Sequence, residues 1–331
     1  MSDRLLDIRG LSIEVATRRG PATVVDGIDL HVDRGETLGI VGESGCGKSL
    51  TMLSIVRLLP NKIRVASGSV AFDGQDLLAM PARRLRDVRG GKIGFVFQDP
   101  MTSLNPVMRI GAQLAEPLAY HRRLSREAAH ARAVELLRLV GIPGPEERLH
   151  AYPHELSGGM RQRVMIAMGL ACDPELLIAD EPTTALDVTI QAQIVDLVKS
   201  LRHRLGMSVV WITHDLALLA GLADRVVVLY AGTVVEDAPV DALFANPMHP
   251  YTRGLLASIP KMTEQESPRL ATIGGTPPEP GKRPAGCPFA PRCPLVRAVC
   301  RERTPQLARP EHGAAGHRVA CFAVAAEREA A

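Results

Sequence analysis

An eight-residue glycine-rich segment is the first candidate for chemistry in this sequence. It fits the pattern G-x-x-x-x-G-K-[ST] and consists of Gly42, Glu43, Ser44, Gly45, Cys46, Gly47, Lys48 and Ser49. Glycines let successive backbone N–H groups curl around phosphate oxygens, and a helix that begins at such a loop adds partial positive charge. In this pattern Lys48 reaches the β- and γ-phosphates and the Ser49 hydroxyl binds Mg²⁺. The segment therefore predicts a site for a nucleoside triphosphate and Mg²⁺.

A chance match is the alternative interpretation of this pattern. The apolar run Leu38-Gly39-Ile40-Val41, typical of a strand buried on both faces, comes directly before the loop. A helical pattern from about Lys48 to Leu59 follows the loop and stops before Pro60. Because a phosphate loop needs this strand–loop–helix context, we favour phosphate binding over chance.

Two adjacent carboxylates form the second candidate. The apolar run 176–179 ends in Asp180 and Glu181. A carboxylate at the end of a strand can hold Mg²⁺ through a water, and its neighbour can polarise the water that attacks a γ-phosphate. A carboxylate pair at a strand end is common in proteins without such a role. Its position downstream of a phosphate loop favours Asp180 as a magnesium residue and Glu181 as a catalytic one.

The elements that must hold these residues alternate between strands and helices. Apolar runs at 93–97, 176–179, 208–213 and 226–230 predict strands, and helical patterns cover 188–205 and 215–223. This alternation indicates an α/β fold with a largely parallel, helix-covered sheet. Partial alternation at 5–15 and 24–32 predicts antiparallel strands. Between about 100 and 168 the pattern is helical, with Ser125 as an N-cap and Gly141 as a helix stop.

Composition excludes several classes of protein. The chain has 331 residues, which at ~150 residues per domain suggests about two domains. Lys and Arg number 39 against 36 Asp and Glu, so we expect no nucleic-acid partner. No run of ~20 apolar residues predicts a transmembrane helix. The first ten residues contain no signal-peptide core, so we expect a cytoplasmic location, and six cysteines are too few for a disulfide scaffold.

Four further motifs, together with the two above, resemble those of the nucleotide-binding subunits of ABC transporters. They are a signature loop at Ser157, Gly158, Gly159 and Met160, a Q-loop at Gln98, a D-loop at Ala185-Leu186-Asp187, and a switch histidine at His214. The order and spacing of the six elements match that family over roughly residues 1–235. Such an ordered set is far more specific than any single motif.

The resemblance implies a P-loop NTPase (RecA-like) core with an antiparallel β subdomain and an inserted helical subdomain at about 99–168. It implies catalytic roles for Glu181, His214 and Gln98, and magnesium binding by Ser49, Gln98 and Asp180. Two subunits would sandwich two ATP molecules, so that each signature loop completes the partner's site. Two positions depart from the family pattern. Val15 stands where an aromatic residue usually stacks on adenine, and Met160 replaces a usual Gln.

Finer resemblance indicates the ATPase of the dipeptide and oligopeptide permeases, in its "D-type" form. The segments that carry it are 98–106, 159–168 and 246–253. This implies ATP-driven peptide import with two transmembrane permease subunits, a second ATPase chain of the "F-type", and an extracytoplasmic solute-binding protein. The chain would then lie peripherally on the cytoplasmic face of the inner membrane. Nickel, a haem precursor or glutathione are alternative solutes, and an ABC ATPase of DNA repair or translation is an alternative class.

The tail, residues 236–331, is predicted to form a short separate domain. From about Gly274 it is rich in Pro, Gly and Arg, and it carries four of the six cysteines: Cys287, Cys293, Cys300 and Cys321. Four thiolates can bind Zn²⁺ or an iron–sulfur cluster. The resemblance favours a [4Fe-4S] cluster, with Zn²⁺ or unliganded thiols as alternatives. Cys46 lies inside the phosphate loop, and Cys172 is expected to be a core residue.

Overall fold

A computed structural model of the protein describes residues 3–184, 186–259, 272–279 and 281–325. The chain divides into two units that interleave along the sequence. Within the described ranges, the first unit contains residues 3–5, 32–36 and 79–212. The second unit contains residues 6–31, 37–78 and the described residues from 213 onward.

The strands of the described residues are the following. They are β1 (Arg4–Thr17), β2 (Gly20–Asp33), β3 (Thr37–Val41), β4 (Ile63–Phe72), β5 (Gln75–Asp76), β6 (Ile93–Val96), β7 (Leu176–Asp180), β8 (Ser208–Thr213), β9 (Arg225–Tyr230), β10 (Thr233–Pro239) and β11 (Arg318–Val319).

The α-helices of the described residues are α1 (Lys48–Ile55), α2 (Ala82–Val88), α3 (Pro100–Ser103), α4 (Ile110–Arg122), α5 (Arg126–Leu139), α6 (Pro145–Arg148), α7 (Gly158–Leu170), α8 (Val188–Leu205), α9 (Leu216–Leu219), α10 (Val240–Ala245), α11 (Pro250–Ala257), α12 (Ala298–Glu302) and α13 (Phe322–Ala325). Short 3-10 helices cover Pro153–Glu155 and Ala290–Arg292. None of the helices in these ranges is both long and apolar enough to cross a membrane.

The first unit is built on three parallel strands. β6 pairs with β7 so that Ile93 lies opposite Leu176, and β7 pairs with β8 so that Asp180 lies opposite Ile212. All five residues of β7 are buried, as the continuous apolar run predicts. Aliphatic side chains of α4, α5 and α7, such as Leu114, fill the core. The hydrophobic effect therefore fixes the strand that ends in the two carboxylates.

The ends of α5 follow the local sequence signals. The Ser125 hydroxyl accepts a hydrogen bond from the backbone N–H of Ala128 at 3.2 Å, which satisfies an orphan donor of the first turn. The helix ends at Leu139, and Gly141 adopts a φ of +73°, a conformation that favours glycine. Both the predicted cap and the predicted stop are confirmed.

The second unit contains a sheet with the strand order β2-β1-β4-β5. β1 runs antiparallel to β4, with Leu6 opposite Phe72 and Ile13 opposite Val65. In the same unit β3 runs parallel to β9, and β10 runs antiparallel to both β9 and β11. All five residues of β3 are buried, so the strand before the phosphate loop is the one predicted.

Two predicted helices are shorter in the structure, and the strand β10, like the two-residue strands β5 and β11, was not predicted. α1 ends at Ile55 rather than near Leu59, because Arg57 takes a left-handed φ of +51°. The helical pattern at 215–223 forms only the single turn of α9. β10 carries the buried acidic residues Glu236 and Asp237, which interrupt the apolar pattern that marks a strand.

Candidate active site

The phosphate loop connects β3 to α1 in the second unit, and its glycines are required by geometry. A Cβ at Gly42 would lie 2.3 Å from the carbonyl oxygen of Leu229. Gly47 has a φ of +100°, and a Cβ there would lie 2.8 Å from a methyl group of Val25. A side chain is therefore disfavoured at Gly42 by the neighbouring backbone, and at Gly47 by the positive φ and by contact with Val25. Ser44 and Gly45, at the outer turn of the loop, are exposed.

Lys48 is the first residue of α1 and turns back into the loop. Its side chain is 4% exposed, and Nζ donates hydrogen bonds to the carbonyl oxygens of Gly42 at 2.7 Å and Glu43 at 3.1 Å. Ser49 follows it in the first turn, half-buried. A buried ammonium group beside the N–H groups of a helix start is suited to binding a polyanion.

Cys46 is buried within the same loop. Desolvation raises the pKa of its thiol, although the nearby charge of Lys48 acts in the opposite direction. The thiol is therefore largely protonated at neutral pH.

The two carboxylates lie at the carboxyl end of β7 in the first unit. Asp180 is buried, and Glu181 has a left-handed φ of +45°, a strained conformation for a residue with a side chain. The Glu181 carboxylate accepts hydrogen bonds from Gln98 Nε2 at 3.3 Å and from Thr184 Oγ1 at 3.0 Å. The structure thus brings together Gln98 and Glu181, two of the three predicted catalytic residues.

The signature loop and the D-loop also belong to the first unit and lie against each other. The Ser157 hydroxyl caps α7 and accepts from the N–H of Met160 at 3.3 Å. Asp187 caps α8 and accepts from the N–H of Ile190 at 2.9 Å. A Cβ at Gly159 would lie 3.1 Å from Ile190, so the two helix starts are in close contact. Ser157 and Gly158 are exposed, whereas Ala185 of the D-loop lies outside the described residues.

His214 directly follows β8 and belongs to the second unit, like the phosphate loop. Its ring is exposed, whereas the preceding Thr213 is buried. The Thr213 hydroxyl accepts from the N–H of Asp215, and the Asp215 carboxylate caps α9 by accepting from Ala217 at 2.9 Å. These bonds fix the turn that carries the histidine.

The four tail cysteines are free thiols in the second unit, with Cys287 and Cys300 buried and Cys293 and Cys321 half-buried. The pKa of Cys287 is raised to about 11, chiefly by burial and to a smaller extent by the neighbouring thiols of Cys300 and Cys321. Among the described residues, no group of three or more His, Cys, Asp or Glu side chains is arranged to hold a metal ion. The expected iron–sulfur or zinc site at these cysteines is therefore not supported by the arrangement of the thiols. Cys172 is a core residue, as predicted.

Two contacts to the phosphate loop were not predicted. The Tyr251 hydroxyl accepts a hydrogen bond from the backbone N–H of Glu43 at 2.9 Å, and Arg292 forms an ion pair with the Glu43 carboxylate. Tyr251 belongs to the segment 246–253, which the sequence links to the peptide-permease family but not to nucleotide binding. Nothing in the sequence separates Arg292 from the other arginines of the tail.

Features of each unit together define an ATPase of the ABC class. The second unit contains a buried strand, the glycine-constrained loop and the buried lysine. The first unit contains the strand that ends in two carboxylates and the helix that begins with a serine cap and two glycines. Family models agree with this class. Residues 25–184 match the model described as "ABC transporter", and residues 235–300 match "Oligopeptide/dipeptide transporter, C-terminal region". The chain belongs to the ATP-binding proteins of the peptide ABC transporters, as its relatives establish.

Three relatives illustrate this membership. A probable peptide ABC transporter ATP-binding protein of Sinorhizobium fredii is 52% identical, over 97% of this chain and 95% of its own. The oligopeptide transport ATP-binding protein OppD of Bacillus subtilis is 50% identical, over 92% of this chain and 85% of its own. The dipeptide transport ATP-binding protein DppD of Haemophilus influenzae is 49% identical, over 92% of each chain.

Among solved structures, the fold is similar to that of an ATP-binding cassette described as a dimer in a post-hydrolysis state with ADP and phosphate. The TM-score is 0.64 at 30% identity, over 71% of this chain and 98% of that one.

Proposed function

We propose that this protein is the ATP-hydrolysing subunit that powers the import of di- or oligopeptides through a binding-protein-dependent ABC transporter. The observation that carries the proposal is the 52% identity, over 97% of the chain, to a probable peptide ABC transporter ATP-binding protein. The presence of Lys48, Asp180, Glu181 and His214 argues against a decayed, non-catalytic subunit.

The phosphate loop, residues 42–49, binds the triphosphate of ATP in this proposal. Lys48 and the N–H groups of the loop hold the phosphate oxygens. The Ser49 hydroxyl and the carboxylate of Asp180 are oxygen donors, which suit Mg²⁺, and Gln98 is assigned to the same ion. When bound, Mg²⁺ neutralises charge on the phosphates.

Glu181 orients and polarises the attacking water, and His214 contacts the γ-phosphate. The contacts of Glu181 support its role, because Gln98 and Thr184 hold the carboxylate in one orientation. A positioned carboxylate lowers the barrier without forming a covalent intermediate. Gln98 directly precedes the helices between residues 99 and 168. In this proposal, a movement of Gln98 on ATP binding or hydrolysis therefore moves that stretch of the chain.

The signature loop serves the ATP of a second ATPase subunit, which we propose to be a distinct F-type chain. The exposure of Ser157 and Gly158 at the start of α7 supports this role. The helical region at about 99–168 docks on two transmembrane permease subunits at the cytoplasmic face of the membrane. The exposed apolar side chains of Met101 and Val107 support docking there. An extracytoplasmic binding protein delivers the solute, and residues 236–331 form the extension typical of this branch.

Peptides are the favoured solute, and nickel, a haem precursor and glutathione are the alternatives. The experiment is reconstitution of the chain with its permease subunits in vesicles, followed by ATPase assays with each solute and its binding protein. Peptide-stimulated hydrolysis that is lost with Lys48→Ala supports the proposal. Stimulation by another solute alone would replace the peptide, and hydrolysis that does not depend on Lys48 would overturn the ATPase role.

We also propose that the tail cysteines, Cys287, Cys293, Cys300 and Cys321, take up a [4Fe-4S] cluster. Support comes from their position in one packed segment, where the thiols influence one another's pKa. Binding requires the thiols to turn toward a common centre. Iron, zinc and sulfide analysis of anaerobically purified protein tests this, and stoichiometric zinc without iron would overturn it.

A further inference from the structure

Glu43, the second residue of the phosphate loop, is held by a buried arginine of the tail. Arg292 donates two hydrogen bonds to the carboxylate, from Nη1 to Oε2 at 2.8 Å and from Nη2 to Oε1 at 3.0 Å. The Arg292 side chain is only 5% exposed, and that of Glu43 is 26% exposed. A bidentate pair of this kind fixes both direction and distance, and partial burial protects it from screening by salt.

Arg292 itself has little freedom to move. Its Nε donates to the carbonyl oxygen of Gly274 at 2.8 Å, and Nη2 donates to that of Ile273 at 3.2 Å. The guanidinium lies 5.7 Å from the ring centre of Tyr230 and 5.9 Å from that of Phe289. The guanidinium lies near two aromatic rings, and each of its three nitrogens donates to an acceptor, so the arginine is a rigid support for Glu43.

The backbone of Glu43 is held on both sides. Its N–H donates to the hydroxyl of Tyr251, a fully buried residue of α11, and its carbonyl oxygen accepts from Lys48 Nζ. The rings of Tyr251 and Phe289 pack at 5.5 Å, so the tyrosine and the segment of Arg292 form one cluster. Glu43 therefore links two parts of the tail to the lysine that defines the phosphate loop.

The charge of Glu43 gives this contact a consequence for nucleotide binding. A carboxylate inside a phosphate loop repels the triphosphate that the loop must bind, and a paired arginine cancels that repulsion. The fixed arginine and tyrosine also keep the loop in one conformation, which lowers the entropic cost of binding.

We propose that Arg292 and Tyr251 are positioning residues of the nucleotide site. Both hold the phosphate loop in place through Glu43, and Arg292 also neutralises the charge of the Glu43 carboxylate. The tail then helps to position the phosphate loop of the ATP site, in addition to packing against the rest of the second unit. This inference rests on the proposed binding of ATP at residues 42–49.

The test measures binding of a non-hydrolysable ATP analogue by calorimetry and ATP turnover of the assembled transporter. For Arg292→Gln we expect the Kd of the analogue and the KM for ATP to rise about tenfold, because the unpaired carboxylate repels the phosphates. The kcat should change much less, since Arg292 touches none of the groups assigned to hydrolysis. Arg292→Lys keeps the charge but loses the bidentate geometry, so its Kd for the analogue should lie between those of the wild type and of Arg292→Gln.

A second substitution separates this role from simple packing. Glu43→Gln placed in the Arg292→Gln protein removes the unpaired charge and should restore most of the lost affinity. Arg318→Gln is the matched control, because Arg318 pairs with Asp237 in the same tail without contacting the loop. Its Kd should equal that of the wild type.

Wild-type affinity in Arg292→Gln overturns the inference. Equal losses in Arg292→Gln and Arg318→Gln, without rescue by Glu43→Gln, also overturn it, because general damage to the tail then explains the effect. Lys48→Ala reports separately on the proposed function. If Lys48→Ala abolishes binding of the analogue while Arg292→Gln leaves it unchanged, the inference alone fails.

Discussion

The side-chain amide of Gln98 lies 3.3 Å from the carboxylate of Glu181, and it approaches the oxygen that also accepts from Thr184. Oε2 of Glu181 thus accepts from two donors, and these bonds fix the orientation of the carboxylate and therefore of its second oxygen, Oε1. The left-handed backbone of Glu181, at a φ of +45°, adds strain that its surroundings must offset. Strain at a residue with two fixed partners is the arrangement expected of a group whose orientation matters for chemistry.

The first prediction concerns Glu181→Gln. The amide is nearly the same shape as the carboxylate but cannot polarise water as a base, so we expect ATP to bind normally. Hydrolysis should fall by roughly 100-fold or more, the usual contribution of a positioned base. Steady-state ATP turnover and analogue binding give the two readouts. Glu146→Gln, at an exposed glutamate paired with Arg138, is the control and should turn over like the wild type. Normal turnover in Glu181→Gln would refute the assigned role.

The second prediction concerns Thr184, whose hydroxyl donates to Glu181 at 3.0 Å. Thr184→Val removes this donor while keeping the shape of the side chain, so the carboxylate loses one of its orienting bonds. We expect kcat to fall about tenfold, which corresponds to one hydrogen bond to a charged group, with little change in KM.

Thr184→Ser keeps the hydroxyl and serves as the matched variant for this test. It should retain most of the wild-type kcat. A loss as large as that of Thr184→Val would mean that packing of the threonine methyl group, rather than the hydrogen bond, is what matters.

The parts of the site that sequence predicts are those encoded locally. The run before Gly42 becomes the buried strand β3, Ser157 becomes a helix cap, and α8 covers the predicted residues 188–205. In each case neighbouring residues determine the conformation, because burial periodicity and capping act over a few positions. The phosphate loop is encoded in eight consecutive residues, so it can be predicted without knowledge of the fold.

The parts that sequence does not predict depend on residues far apart in the chain. Arg292 and Glu43 are separated by 249 positions, and only the packed tail brings them together. The strand β10 escapes prediction because Glu236 and Asp237 are buried, which becomes favourable only with partners such as His317.

The third prediction concerns alkylation of Cys46. Desolvation raises the pKa of this thiol, so the reactive thiolate is scarce at neutral pH. Modification by iodoacetamide should therefore be slow at pH 7 and should accelerate about tenfold for each unit of pH up to the raised pKa. Bound ATP should protect the thiol, and modification should block hydrolysis by crowding the loop.

Peptide mapping by mass spectrometry distinguishes Cys46 from the half-buried Cys293 and Cys321. Loss of activity in the wild type but not in Cys46→Ser would tie the inhibition to this thiol. Equal modification rates with and without ATP would contradict its position in the nucleotide site.

The last prediction concerns stability in acid, and it rests on His249. Burial lowers the pKa of this histidine from 6.5 to about 4 in the folded protein, despite the nearby charge of Glu236. Between these two values the unfolded chain binds a proton that the folded chain does not, so the free energy of unfolding falls as the pH drops from about 6.5 towards 4. The contribution of this one group is about 3 kcal/mol.

Glu236 adds to the effect at lower pH. Burial disfavours its charged form, but hydrogen bonds from His317 and from the backbone N–H groups of Met248 and His249 leave its pKa below the ordinary value. Its contribution to stability is present above the unfolded pKa and is lost as the pH falls through the lowered folded pKa. Both groups therefore make the fold weaker in acid, in adjoining ranges of pH.

Urea unfolding between pH 4 and pH 8 measures this dependence. His249→Asn removes the titrating ring, and Asn can still accept from the N–H of Tyr251 as the cap of α11, as the ring nitrogen does at 3.1 Å. We expect a flatter pH profile for this variant between pH 6.5 and 4.5. His203→Asn, at an exposed position of α8, should keep the wild-type slope. An unchanged slope in His249→Asn would show that other groups cause the acid sensitivity, and that the buried histidine does not.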